Sequence, residues 1–164
     1  MEYFFYCRDR PGTGALRDEL TEAHWSFMDA YAERMIARGP TFAEDGTTPT
    51  GSMHIVDLPG AEEARVFAFE EPNYQAGVYG EVTIRRFRNL LGRTMWEFSG
   101  DHGAEHFLVV CHGRSGTDDA PEGLLVDASD RERLILSGSL LAQDGSCWLG
   151  DVLAVGLPSR AAVE

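Results

Sequence analysis

The stretch RMIARGPTFAEDG at Arg34–Gly46 returns 99 positions later as RLILSGSLLAQDG at Arg133–Gly145. The echo continues at the same shift, with GSMHIVDLP at Gly51–Pro59 set against GDVLAVGLP at Gly150–Pro158. A third pair, shifted by 104, matches YFFYCRDRPG at Tyr3–Gly12 to FLVVCHGRSG at Phe107–Gly116. Three blocks in one order and at similar offsets point to duplication. The first copy runs on past Arg65 through another helix and strand, whereas the second stops at Glu164, the counterpart of Arg65. The second copy is therefore expected to be incomplete, with apolar strands that need cover. Open strand edges invite pairing, so a homodimer is expected in place of a stable monomer.

Around these blocks the chain alternates strands and helices. Glu2–Arg8 is short and aromatic-rich, which reads as a strand, and Pro11, Gly12 and Gly14 break it. Leu16, Leu20, His24, Phe27, Tyr31 and Met35 recur at steps of four and three, which predicts one long helix ended by Gly39-Pro40. Thr41–Glu44 begins a short second strand, Asp45–Pro49 is a loop, and Gly51–Leu58 is a third strand closed by Pro59-Gly60. Ala61–Phe69 is a second helix with Ala64, Phe67 and Ala68 on one side. Glu71-Pro72-Asn73 makes a turn, and Val82–Phe87 is a fourth strand. The order βαββαβ is that of an α+β, ferredoxin-like module with both helices on one face of an antiparallel sheet. Ser99–Glu105 (SGDHGAE) reads as a linker, which divides the chain into residues 1–98, 99–105 and 106–164. The truncated second module then offers a strand at Phe107–Cys111, a weaker helix around Gly123–Leu136, and strands at Gly138–Ala142 and Cys147–Leu157.

Composition narrows the function classes. A net charge of −13 over 164 residues and a pI near 4.7 argue against nucleic acid and against anionic membranes, both of which need a basic face. All 14 basic residues are arginine, so Schiff-base catalysis and lysine-dependent phosphate loops are excluded. Three cysteines, an odd count, make a secreted disulfide framework improbable. The opening MEYFFYCRDRP lacks a basic leader, and no apolar run approaches the ~18 residues of a membrane span. The expectation is a soluble, cytoplasmic protein.

His24 interrupts the apolar helix face between Leu20 and Phe27. A histidine turned toward a core is costly unless hydrogen-bonded, so it is either a satisfied core group or an acid/base group with a partner. Glu71 precedes Pro72, which holds its backbone extended; it is either an ordinary acidic residue at a helix end or that partner. Tyr3, Phe5, Tyr74 and Tyr79, with Gly39 and Pro40, are the candidate substrate-binding positions, and strand aromatics serve equally as packing. His102, His106, Cys111 and His112 form the one cluster with metal-ligand chemistry, but it has no spacing of a known metal site, so neither metal nor cofactor is expected.

Several of these pieces stand in a telling order: an opening strand, a lone helix histidine in Glu22-Ala23-His24, Gly39-Pro40, Gly51-Ser52, and the run EPNYQAGVY at Glu71–Tyr79. In this, residues 1–88 resemble the YCII-related domain family of the dimeric α/β-barrel superfamily. The resemblance implies a catalytic pair of histidine and carboxylate at His24 and Glu71, where the family carries aspartate ahead of proline. It implies a dimeric α/β-barrel assembly and cofactor-independent proton transfer on a small-molecule substrate, leading to elimination, isomerisation or cyclisation. The lyase flavour comes from relatives implicated in dehydrohalogenation of aromatic compounds. In the second copy Gly123 stands at the place of His24, so one site per chain is expected. The rival readings are a binding module without turnover and a purely structural subunit.

Overall fold

The computed structural model describes residues 1–113 and 128–163. It comprises two compact units, Met1–Arg85 and Arg86–Glu164, each described by itself below. Among the described residues no helix is long and apolar enough to cross a membrane.

The first unit is built from β1 (Glu2–Asp9), α1 (Gly14–Glu19), α2 (Thr21–Asp29), β2 (Met35–Phe42), β3 (Pro49–Asp57), α3 (Ala61–Phe69), α4 (Pro72–Gln75) and the start of β4 (Tyr79–Asn89). The strands lie in the order β2-β3-β1-β4, and β3 runs antiparallel to both β1 and β2. This is an α+β, ferredoxin-like arrangement. Alternation along the strands decides its faces. Tyr3 and Phe5 of β1 and Val56 of β3 pack with Met28 of α2 and with Ala64, Phe67 and Ala68 of α3. Cys7, two residues on from Phe5, meets Leu16 and Leu20 from the first helical turns. The face carrying Tyr3, Phe5, Cys7, Ser52, His54 and Val56 is thus the one under the helices.

The long helix expected up to Gly39-Pro40 is corrected. It breaks at Leu20 into α1 and α2 and ends at Asp29, and a short 3-10 turn at Ala32–Arg34 leads into β2. Met35 keeps the helical spacing but is a strand residue. Pairing with β3 buries Met35, Ile36 and Ala37 together and satisfies their backbone groups, which outweighs local periodicity. Gly39 and Pro40 therefore lie inside β2, and the second strand begins at Met35, before the expected Thr41. Pro40 is tolerated because β2 stands at the end of the strand order, where a missing N–H breaks no ladder. α3 spans Ala61–Phe69 as expected, with Ala64, Phe67 and Ala68 buried.

The second unit contains Arg86–Asn89 of β4, then β5 (Glu105–His112), β6 (Leu134–Leu141) and β7 (Trp148–Leu157), with β7 between β6 and β5. The helix expected over Gly123–Leu136 is corrected where it is described: Ala128–Arg133 is 3-10 and Leu134 already opens β6. Gly123 lies outside the described residues.

The pairing repeats that of the first unit residue for residue. Tyr3↔Val56 and Cys7↔Ser52 become Phe107↔Val155 and Cys111↔Asp151. The register shift between Met35 and Ala37 recurs between Leu134 and Leu136, and the one between Thr41 and Phe42 recurs between Leu140 and Leu141.

Candidate active site

The helix layer and the sheet of the first unit bring together a set of polar groups. His24 projects from α2 toward the sheet. Its Nδ1–H donates to Glu71 Oε1 at 2.6 Å. A carboxylate only accepts, so the ring supplies the proton of this bond, and in the tautomer that carries its single proton on Nδ1 the acceptor is Nε2. The His24 side chain is 15% exposed and that of Glu71 3%. Glu71 is the N-cap of α4, and its Oε2 accepts from the Tyr74 backbone N–H at 3.0 Å. Pro72 at the first helical position holds Glu71 extended, at φ −63° and ψ 131°. Both carboxylate oxygens are therefore tied down, and the longer glutamate side chain reaches the ring.

A chain of hydrogen bonds runs on from α4. Asn73 Nδ2 donates to Tyr79 Oη at 3.3 Å, and Tyr79 Oη donates to Ser52 Oγ at 3.2 Å. Arg17 Nη2 donates to the same Ser52 oxygen at 2.7 Å and to the Gly51 carbonyl at 3.2 Å, while Nη1 pairs with Asp9 Oδ1 at 2.9 Å. His54, two residues after Ser52 on the same strand face, packs its ring 5.8 Å from that of His24 and 5.7 Å from Phe67.

The electrostatics follow from burial. His54 is held far below the ordinary histidine range, at about 3, chiefly by desolvation and then by the neighbouring His24, Arg17 and Arg38. Burial, reinforced by the Glu71 charge, pushes the Cys7 thiol up to about 12 and raises the Tyr79 phenol as well. Burial raises Asp9 too, opposed by Arg17. Cys7 is thus an unreactive thiol, and Tyr79 a donor that keeps its proton.

The YCII-related domain family matches residues 1–88, more than half of the chain. The chain belongs to this family. An uncharacterised protein of Haemophilus influenzae is 30% identical over 97 residues, covering 55% of this chain and 99% of the relative. Protein YciI of Escherichia coli is 28% identical over the same length, with the same coverage. Among solved structures, the 5-chloro-2-hydroxyhydroquinone dehydrochlorinase TftG of Burkholderia phenoliruptrix, in complex with 2,5-dihydroxybenzoquinone, shares the fold. Its TM-score is 0.52 at 24% identity, over 57% of this chain and 99% of that one.

Within this YCII-related module the expected site residues fall in different places. His24 and Glu71 meet, and Tyr79 bonds Asn73 of the helix that Glu71 caps. Tyr3 and Phe5 are core residues instead, Phe5 stacking on Phe67 at a centroid distance of 4.6 Å. Tyr74 is partly exposed against Phe69, and Gly39 and Pro40 sit on the edge strand. Arg17, Ser52, His54 and Asn73 were not among the residues singled out by sequence. His54 carried a legible signal, as a ring nitrogen inside the otherwise apolar run MHIV, and Ser52 and Asn73 entered only as parts of the motif pieces that carry the resemblance.

The burial of neutral His54 has a consequence for acid stability. Its folded-state value near 3 lies below the ordinary 6.5, so its contribution is complete above pH 6.5 and is lost as pH falls toward 3. Denaturant midpoints should fall with acid across that window, and more steeply in the wild type than in His54→Leu. Parallel curves for the two proteins would contradict a buried neutral His54.

Proposed function

We propose that this protein is a cofactor-independent small-molecule enzyme of lyase, isomerase or cyclase type, in which His24 is the general base and acid and Glu71 orients it. The observation that carries this reading is the 2.6 Å bond between His24 Nδ1 and Glu71 Oε1, backed by the Tyr74 N–H on the other carboxylate oxygen. Nε2 takes a proton from an acidic C–H or O–H of the substrate. The imidazolium that forms is stabilised by Glu71 and returns the proton to the leaving group or to another atom of the product. Arg17, Ser52 and Tyr79 are hydrogen-bonded to one another in the same module, and on this reading they hold the framework around the pair. TftG, named as a dehydrochlorinase and solved with a dihydroxyquinone, supports a small oxygenated ring as substrate and elimination as the reaction. A homodimer in the cytoplasm belongs to the same reading, and sedimentation at micromolar concentration tests the assembly.

The second unit is, on this proposal, a degenerate copy that serves as scaffold. The shared register and twin bulges support it. Leu153 stands at the register position of His54 and Asp151 at that of Ser52. Asp151 is spoken for: Ser139 Oγ donates to it at 2.9 Å and Trp148 Nε1 at 3.1 Å.

The test is proton exchange. A panel of hydroxylated rings, including 5-chloro-2-hydroxyhydroquinone, is incubated with the protein in D2O and followed by NMR and by chloride release. Solvent deuterium entering carbon, or elimination, in the wild type and not in His24→Ala is the expected result. Equal rates in the two proteins would sink the acid/base reading.

A further inference from the structure

Among the described residues, only three buried side-chain polar atoms have no hydrogen-bond partner: His54 Nδ1, Asn73 Oδ1 and Arg86 Nε. Two of the three border the His24–Glu71 pair. His54 is 3% exposed and Asn73 1%. Buried polar groups are nearly always paired, so each exception calls for a cause. The Asn73 exception does not depend on which way its amide is turned. One end meets Tyr79 Oη, and in either orientation the other end stays unpaired.

The two orphans are also tied to the pair through a run of contacts and shared elements. His24 bonds Glu71, Glu71 caps the helix that carries Asn73, Asn73 bonds Tyr79, Tyr79 bonds Ser52, and Ser52 shares a strand face with His54, whose ring returns to His24. A protein selected for stability alone would put leucine at His54, as stands at the matching register position, Leu153, in the second unit.

We propose that His54 and Asn73 are substrate-recognition residues, and that their unpaired atoms are completed by the hydroxyl or oxo groups of a compact ligand held beside His24. This rests on the reading of His24 and Glu71 as the active site, and deepens it by assigning selection among substrates to these two side chains. Such a site rejects apolar ligands, because an analogue without the oxygen substituents leaves the orphan atoms buried and unpaired. Neutral His54 offers either a donor or an acceptor according to its tautomer, and adds no charge that would compete with Glu71.

Calorimetric titration with 2,5-dihydroxybenzoquinone, compared with para-xylene as an apolar ring of similar size, tests the proposal in the wild type, His54→Leu and Asn73→Leu. The wild type should bind the dihydroxyquinone and not para-xylene, and each variant should lose about tenfold or more of that affinity, roughly one well-made hydrogen bond. His54→Leu should meanwhile melt at the same temperature as the wild type or a few degrees higher, since it removes an unsatisfied buried group. No binding by the wild type, or unchanged affinity in both variants, overturns the proposal. A His54→Leu protein that melts several degrees lower overturns it too, because the ring would then be a packing group. The underlying dyad is judged separately, by proton exchange in His24→Ala, so its failure is distinguishable from a failure of recognition.

Discussion

His24→Ala should lower turnover by about 10²–10⁴-fold, the range lost when a positioned general acid/base is removed, and should lower the melting temperature by a few degrees, because buried Glu71 Oε1 loses its donor. The side chain lies midway along α2 and is not part of the apolar cluster of Tyr3, Phe5, Met28 and Phe67. Removing it therefore leaves that cluster whole. The loss should fall mainly on kcat, because Nε2 acts on the reacting proton. Glu71→Gln should cost less. Its amide oxygen still accepts from Nδ1–H, but it no longer offers a charge to the imidazolium, and the amide NH2 that then faces the Tyr74 N–H cannot accept from it, so that cap is lost. The double variant should be no worse than His24→Ala alone, since residues that act as a unit are not additive. Loss of activity in Glu71→Gln with full activity in His24→Ala would reverse the roles. Full activity in both would place the chemistry elsewhere.

What sequence could see, and what it could not, divides along physical lines. The pairing of His24 with Glu71 was legible through the resemblance to the YCII-related family; the residues alone, a histidine on an apolar helix face and a glutamate held by the proline that follows it, left a structural reading equally open. α3 was legible to its end residues because glycine, three consecutive small or acidic residues and an apolar stripe all agree. The end of the first helix was not. Met35 satisfies both a helical spacing and a strand, and only pairing with β3, a contact made some twenty positions downstream, decides between them. Tyr79 was an expected binding position, but its bonding to Asn73 and Ser52, and that of Ser52 to Arg17, was not legible, since the four residues lie on four elements and meet only after folding.

Gly51→Ala and Gly150→Ala should be among the most destabilising single-methyl additions available to this chain, and they should be so for one shared reason. A Cβ on Gly51 would lie 2.1 Å from the Cys7 carbonyl oxygen, and one on Gly150 would lie 1.9 Å from the Cys111 carbonyl oxygen. The obstacle in each case is backbone in a paired neighbouring strand, so relief requires β1 to part from β3, or β5 from β7. Gly150 adds a second penalty, since its φ of +145° is a conformation that side-chain-bearing residues rarely adopt. Each substitution should cost about 3 kcal/mol or more, the upper range for overpacking against an unyielding neighbour. Gly39→Ala is the internal control. No atom lies within 4 Å of its added Cβ, so it should be neutral or slightly stabilising. Hydrogen exchange separates the two units: Gly51→Ala should release amides of residues 1–85 first, and Gly150→Ala those of 86–113 and 128–163. Matched losses follow if the second unit is a copy that kept its strand framework, because the glycine answers to the same requirement at the same register position. A large loss from one glycine and a loss no greater than that of Gly39→Ala from the other would mean that the two strand pairs are held together differently, and the proposed duplication would lose physical support.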